Sequence, residues 1–432
     1  MFIGLFPYNC ALIMKIGLRV LLFFSFLAGY TQQPTVTDVN IDGAKRTKVS
    51  FLENLIKVKS GSLLDSVTLK EDVQRLKQLP SIANANFRVE ANNKNQYSVI
   101  YTVEEHFTLI PFANLYTSTN DEFAFKIGLQ EYNIFGRNMI LGGFYQRDIF
   151  NSYGINFRVP YIIRGNFGFA LSYNNITTQE PVFINDNTAD YRYNNKAFEV
   201  LGLYNINNKN RIDFGINLFT EDYRYITGAT SPNVPQELQV DKYLYKLIYY
   251  YENIKYDYYF RSGFGSTLNF QYVKSPDENL PEFLIGINDF VYFKRIGYRG
   301  NWANRLRLGI ASNIDTPFAP FSVDNNVNIR GVGNKIDRGT ATIVFNTEYR
   351  YSFIDKDWFA LQGNFFIDSG TWRNPGGDFS DFTEKESIRV YPGIGFRFIH
   401  KRIFNAIFRI DYGYGITKNA SHGIVFGIGQ YF

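Results

Sequence analysis

Towards its C-terminal end the chain alternates apolar and polar or bare positions. Ile388, Val390, Ile394, Phe396 and Phe398 stand on one side of a predicted strand, with Arg389, Gly393, Gly395 and Arg397 on the other. Phe404, Ala406, Phe408, Ile410 and Tyr412 oppose Asn405, Arg409 and Asp411, and Ile424, Phe426, Ile428 and Phe432 oppose Gly423, Val425, Gly427 and Gly429. A period of two puts alternate side chains on opposite faces of a strand. Strand-like segments separated by clusters of Asn, Asp, Gly and Pro run back to Phe107, with no helical pattern among them. They predict sixteen strands, near 108–117, 122–131, 138–148, 152–160, 166–176, 192–206, 210–222, 242–254, 257–274, 283–296, 302–313, 339–351, 358–369, 387–399, 403–413 and 422–432. With connections this is about 20 residues per strand, compatible with ~10-residue strands crossing a membrane.

Residues 34–106 follow another pattern. Val36 to Ile41 reads as a strand ended by Asp42-Gly43. Ser50-Phe51-Leu52-Glu53 and Thr68-Leu69-Lys70-Glu71 have the spacing of helix-opening capping boxes. Leu55 and Ile56 mark the first helix's apolar side; Leu69, Val73, Leu76 and Leu79 recur at helical spacing until Pro80. Phe87-Arg88-Val89 and the alternating Tyr97, Val99, Tyr101 and Val103 add two strands around a turn at 92–95. The order is β-α-α-β-β. It resembles a polypeptide-transport-associated (POTRA) domain, including Asp42-Gly43 after strand one and the Val103-Glu104-Glu105 exit. The expected division is a POTRA domain at 34–106 and a barrel at 107–432.

Composition narrows the alternatives. Aromatics make up 18% of 432 residues, with 42 Phe and 32 Tyr, yet mean hydropathy is only −0.21. Many aromatics without long apolar runs suit a transmembrane β-barrel, where lipid-facing and lumen-facing residues average out. A soluble β-sandwich would alternate too, but with its apolar face turned inward against a second sheet. Net charge is +5 with no basic run, so nucleic-acid binding has no support. His106, His400 and His422 are far apart and lack metal-ligand spacing. No metal, cofactor or catalytic triad is indicated, and the expectation is a non-enzyme.

At the N-terminus, Lys15 and Arg19 precede an apolar stretch, Val20 to Ala28, of secretory-signal rather than membrane-spanning length. Residues 1–31 are expected to be a signal peptide, with Met14 an alternative start. Cys10, the only cysteine, then lies outside the mature chain.

Asn328-Ile329-Arg330-Gly331 falls in a long expected loop, residues 314–338, and Phe366-Ile367-Asp368-Ser369-Gly370 in a later strand. With Asn133-Ile134-Phe135-Gly136 between the second and third barrel strands and the terminal Phe432, these motifs resemble the outer-membrane assembly superfamily that includes BamA, TamA and the two-partner-secretion transporters. The resemblance implies that the loop folds into the lumen and that Arg330-Gly331 meets Asp368 of the Phe366-x-Asp368-x-Gly370 motif. Asp368 shares a face with Asn364 and Gln362, expected to be lumenal; Glu348 and Arg397 are candidate lumen partners. Val332 departs from the family's aromatic after Arg-Gly, and a single POTRA domain is fewer than BamA and TamA relatives carry. Phe432 resembles a C-terminal insertion signal.

The family resemblance implies an outer-membrane location in a Gram-negative bacterium, with the POTRA domain in the periplasm. It also implies a role in inserting or passing polypeptides. The partners it implies are unfolded or nascent outer-membrane proteins, the lipid bilayer, and accessory periplasmic proteins or lipoproteins. Pro111 in the first barrel strand and Gly427 and Gly429 in the last mark a candidate lateral seam, since Pro removes a ladder donor and Gly weakens a strand. A passive solute channel and a two-partner-secretion-type exporter stay open as alternatives.

Overall fold

The computed structural model describes residues 33–93, 95–117, 123–163, 166–184, 187–316, 319–322, 328–332, 338–418 and 420–432. The expected signal peptide, with Met14 and Cys10, lies outside the described residues.

The N-terminal module has the order β1 (Thr35–Asp42), α1 (Val49–Leu55), α2 (Ser66–Lys77), β2 (Ile82–Asn93) and β3 (Gln96–Glu105). Its sheet runs β1-β3-β2, with β1 parallel and β2 antiparallel to the central β3. Leu52, Leu55, Leu69, Leu76, Val99 and Val103 bury the apolar helix faces against the sheet. Asp72 is buried with them, and its carboxylate accepts from the Lys57 and Val58 amides and the Tyr101 hydroxyl. Both helix starts differ from the capping-box expectation. Ser50 lies inside α1, whose N-cap Lys48 makes no side-chain cap bond. The cap of α2 is Asp65, which accepts from Val67 and Thr68. Aspartate supplies the N-terminal acceptor as well as Thr68 would, one turn earlier.

All sixteen expected barrel strands are present. They are β4 (Leu109–Thr117), β5 (Phe123–Ile134), β6 (Met139–Arg147), β7 (Asn151–Ile163), β8 (Phe167–Ile184), β9 (Asn187–Asn205), β10 (Asn210–Gly228) and β11 (Glu237–Asp257). After β12 (Phe260–Lys274), β13 (Phe283–Ile296) and β14 (Gly300–Ala311), two residue pairs, β15 (Phe321–Ser322) and β16 (Arg338–Gly339), form a ribbon of their own in the long loop. The wall resumes with β17 (Ala341–Asp355), β18 (Phe359–Arg373), β19 (Ile388–His400), β20 (Ile407–Tyr414) and β21 (His422–Ile428). Neighbours in sequence are neighbours in an antiparallel sheet that begins at β4 and ends at β21. Outward positions are apolar and exposed: Phe365, Ile394, Phe396, Phe408, Ile424 and Phe426 are each more than half exposed. The greasy face is therefore outside, which excludes the sandwich and requires lipid as the solvent.

Two deviations are informative. Strands β8 to β11 have 18, 19, 19 and 21 residues, against the ~9–11 that cross a bilayer. Their added ends are polar with scattered tyrosines, so apolar alternation vanishes while the ladder continues. The last strand stops at Ile428 rather than running to Phe432. Gly429 takes φ +94°, and its amide donates to the Ile407 carbonyl at 2.8 Å; beyond it the chain turns inward.

The module seats on the near end of the barrel, through the Asn133-to-Asn138 turn. Ser81 N–H donates to Asn138 Oδ1 at 3.1 Å, Asn138 Nδ2 to Ser81 Oγ at 2.9 Å, and Asn133 Nδ2 to Thr47 Oγ1 at 3.1 Å. The Lys48 amide donates to the Gly136 carbonyl at 2.9 Å, and Tyr161 of β7 packs on Phe51. Glu105, though burial raises its pKa, is held below the usual carboxylate range by the amides of Thr47, Arg46 and Lys45. Phe404, expected on the apolar face of a strand, lies in the β19–β20 turn against His106 and Tyr132.

His106 sits in this joint, its Nδ1–H donating to the Pro80 carbonyl at 3.1 Å. Burial pushes the imidazole down to about 4, against the upward pull of the Pro80 and Lys401 carbonyls. An unfolded histidine titrates near ~6.5. With the folded value lower, this stabilisation is complete above pH ~6.5 and is lost as pH falls from there through about 4. Amide-exchange protection factors at Ser81 and Asn138 should therefore drop across that window. A His106→Gln variant should lack this part of the pH dependence; equal slopes in both proteins would refute the assignment.

Candidate functional site: a loop seated in the barrel lumen

Between β14 and β17, residues 328–332 lie against the inner wall, with Ile329 and Arg330 fully buried. Arg330 meets Asp368 through three bonds. Its backbone amide and Nε donate to Asp368 Oδ2 at 3.0 and 2.8 Å, and Nη2 donates to Oδ1 at 2.9 Å. Its Nη1 donates to Glu348 Oε2 at 2.6 Å. The planar fork of a guanidinium matches a carboxylate in this way, where a lysine would offer a point charge. The Phe366 ring lies 3.6 Å from the guanidinium carbon, adding a cation–π contact. Gly370 follows on the same wall, in register with Val344 and Arg389.

The pair belongs to a larger buried cluster. Glu348 also accepts from Arg397 Nη2 at 3.0 Å and forms a close ion pair with Arg350. Asp411 lies 3.7 Å from Arg330 Nη1 and accepts from Arg409 Nη1 at 3.0 Å. Four guanidiniums thus face three carboxylates, all but Arg409 essentially without solvent exposure. Such a cluster contributes little net stability against burying the same volume of apolar groups, whereas removing one partner from it is strongly unfavourable.

Backbone shape completes the seat. Gly331 has φ +92°, and a Cβ there would come within 2.5 Å of the Gly413 carbonyl oxygen. A Cβ on Gly413 would come within 2.1 Å of the Arg330 carbonyl oxygen. Loop and wall touch backbone to backbone, as glycine permits. Gly393 and Gly395 leave room for the Phe366 ring and the Asp411 carboxylate, each about 2 Å from where a Cβ would stand. Val332 packs with Ile329 in a cluster whose aromatics, Trp372 and Tyr391, come from the wall.

Two of the expected seam residues stand on the two edge strands of the sheet, Pro111 on β4 and Gly427 on β21, and Gly429 follows β21 directly. Pro111 is exposed on β4, opposite Leu129 of β5. β21 pairs with β20, and no ladder joins β21 to β4 among the described residues, although the two lie side by side. The chain entering β4 is tied to the β19–β20 turn instead, Phe107 N–H donating to the Arg402 carbonyl at 2.9 Å. Gly427 stands where a Cβ would meet the Arg409 guanidinium at 2.6 Å, and Gly429 is the inward turn. Phe432 lies inside the lumen: its carbonyl oxygen accepts from Arg350 Nη2 at 3.2 Å. Sequence reasoning missed Asp411, Arg409 and Tyr431 as members of this cluster. The inward alternation of β20 signals the first two; Tyr431 gives no local signal, because an unpaired end has no periodicity.

Comparison with known proteins agrees with this architecture. Residues 34–106 match the family model for POTRA, described as surface antigen variable number repeat. No curated protein matches the chain. BamA from Haemophilus ducreyi lacking POTRA domains 1–3 is similar at TM-score 0.55 and 15% identity, covering 92% of this chain and 84% of that one. CdiB from Acinetobacter baumannii is similar at 0.61 and 12%, covering 92% and 74%. CdiB from Escherichia coli is similar at 0.60 and 9%, covering 92% and 76%. The chain is a barrel of BamA-like fold behind a POTRA domain. The Asn133–Asn138 turn is thus the seat of the POTRA domain, and the seated loop lies within the barrel that follows it.

Removing the Arg330 side chain leaves Asp368 a buried carboxylate without its ion-pair partner, while Glu348 keeps Arg350 and Arg397; breaking a buried pair in this way costs about 3–5 kcal/mol. Arg330→Ala should release the loop and raise single-channel conductance in planar bilayers. Gly413→Ala, which leaves every charge in place, should do the same through the clash with the Arg330 carbonyl. Unchanged conductance in both variants would show that the loop stays seated without them.

Proposed function

We propose that this barrel works at the outer membrane of a Gram-negative bacterium, assisting the insertion or passage of polypeptides, with its POTRA domain in the periplasm. The observation that carries this reading is the sheet's missing closure. β4 and β21 share no ladder among the described residues, beside a lumen occupied by a locked loop. A passive channel gains from a fully laddered wall and an unobstructed bore, whereas here the edge strands share no ladder among the described residues and residues 328–332 lie in the lumen. Edge strands with unpaired backbone groups accept an incoming strand by β-augmentation, and the POTRA edges β1 and β2 offer the same chemistry. In this reading Arg330, Gly331, Phe366, Asp368 and Gly370 form the loop lock with Glu348 and Arg397. Unfolded outer-membrane proteins are the clients, the bilayer is the solvent, and accessory periplasmic proteins or lipoproteins meet the POTRA surface. Phe432 serves as an insertion signal before it turns inward. The machinery is positional and electrostatic, so no enzymatic step is assigned.

A two-partner-secretion-type exporter is the second reading, favoured by higher TM-scores to CdiB than to BamA. Depletion followed by quantitative outer-membrane proteomics separates the two. Assembly predicts a fall in several integral barrels, export the loss of one secreted protein with the barrels unchanged. Normal levels of both would overturn both readings. Cysteines introduced across the β4–β21 seam should, once oxidised, reproduce the depletion effect, and full activity of the crosslinked protein would exclude lateral opening.

A further inference from the structure

Beyond Gly429 the chain enters the lumen and places two aromatic rings among arginines. The Tyr431 ring centroid lies 4.2 Å from the Arg330 guanidinium carbon, 5.1 Å from that of Arg409 and 5.3 Å from that of Arg305. The Phe432 ring lies 5.5 Å from those of Arg305 and Arg350. Cation–π contacts of this kind are attractive, and more so where water is excluded. Yet the segment fits imperfectly. Neither amide atom of Gln430 nor the Tyr431 hydroxyl has a protein partner, although all are buried. The nest has spare donors as well: Arg350 Nη1, Arg397 Nε and Nη1, and Arg409 Nε are buried without a protein acceptor. Guanidiniums also outnumber carboxylates here. The site attracts aromatic faces and oxygen acceptors, and its present occupant leaves part of that capacity unused.

We propose that this arginine nest is a binding site for a polypeptide segment bearing two adjacent aromatic side chains, and that residues 430–432 occupy it as an exchangeable placeholder. The occupant is an extended peptide rather than a small anion, because the recognition rests on ring faces as much as on charge. The proposal rests on the polypeptide-handling reading and names where inside the lumen such a chain is held. The joint between placeholder and wall is short: β21 ends at Ile428, and the Gly429 bond to Ile407 is the tie that precedes the inward segment.

The test uses the purified full chain in detergent and a fluorescein-labelled peptide of residues 424–432. Tyr431→Ala empties part of the nest and should bind the peptide at least ~10-fold more tightly than the unaltered protein, a difference of ~1.4 kcal/mol. A peptide with both aromatics replaced by alanine should not bind, and Arg409→Gln added to Tyr431→Ala should abolish the gain. Equal affinity of Tyr431→Ala and the unaltered protein, or equal binding of the alanine peptide, would overturn the proposal. Should Tyr431→Ala fail to fold, Gln430→Cys serves instead: excess peptide should displace the placeholder and speed labelling of that cysteine by a water-soluble maleimide several-fold. An unchanged labelling rate overturns the proposal equally. Because both measurements use isolated protein, their failure is distinct from failure of the assembly reading, which the depletion experiment decides.

Discussion

A guanidinium taken out of water must have its charge matched by carboxylates, and around Arg330 that demand shapes one side of the barrel. Burying an unpaired charge costs several kcal/mol even after relaxation, whereas a fully bonded one comes close to balance. Arg330 therefore brings Asp368 and Glu348 with it, and Glu348, itself fully buried, brings Arg350 and Arg397. Each addition needs space. The wall provides it with Gly393, Gly395 and Gly413, where side chains would occupy the positions taken by Phe366, Asp411 and the loop backbone. The arginine–aspartate pair and the glycines opposite it are one device: the first fixes the loop's register, the second lets it come close enough for the bonds to form.

How much of this could be read from the residues depends on whether a feature is periodic. Strand existence was legible wherever one face met lipid, because alternation of Phe, Ile and Tyr with Arg, Gly and Asp survives without any partner in view. The lumenal side of Asp368 followed from the same count through Gln362 and Asn364, both buried on the inner wall. The extra length of β8 to β11 was not legible, since a strand end that no longer faces lipid has no reason to alternate in hydropathy. The α2 cap was misread for a different reason: Asp65 and Thr68 both suit the role, and only the tertiary position of the helix decides between them. The participation of Asp411 and Arg409 needed pairing across strands far apart in sequence, and the inward turn at Gly429 needed knowledge of what lay inside.

Gly427 and Gly429 show how one residue pattern admits two physical accounts. As bare positions on the last strand they suggest a weak ladder. In the structure Gly427 yields its side-chain volume to the Arg409 guanidinium, and Gly429 supplies a left-handed turn. β21 and β4 lie side by side without a shared ladder among the described residues; β21 ends at Ile428, and the residues after it lie against arginines in the lumen rather than along β4.

The lock and the seam consequently share strands. Gly331 rests on Gly413 of β20, close to Gly423 of β21, and the Ser421 hydroxyl between those strands donates to the Val332 carbonyl at 2.8 Å. Arg330 bonds β17 and β18 on one side and meets Tyr431, just past β21, on the other. A loop seated here spans the wall from β17 and β18 to the β21 edge, so the position of that edge depends on the loop. If the loop leaves, the last two strands lose the backbone they pack against while keeping only the ladder to β19. If the edge moves first, Gly413 and Tyr431 are withdrawn from Arg330 and the buried charge cluster loses part of its enclosure. Two elements that each lose contacts when the other departs are energetically coupled in both directions, with equal magnitude. The edge strands, which share no ladder among the described residues, are thus joined to the buried charge cluster through a few residues of β20 and β21.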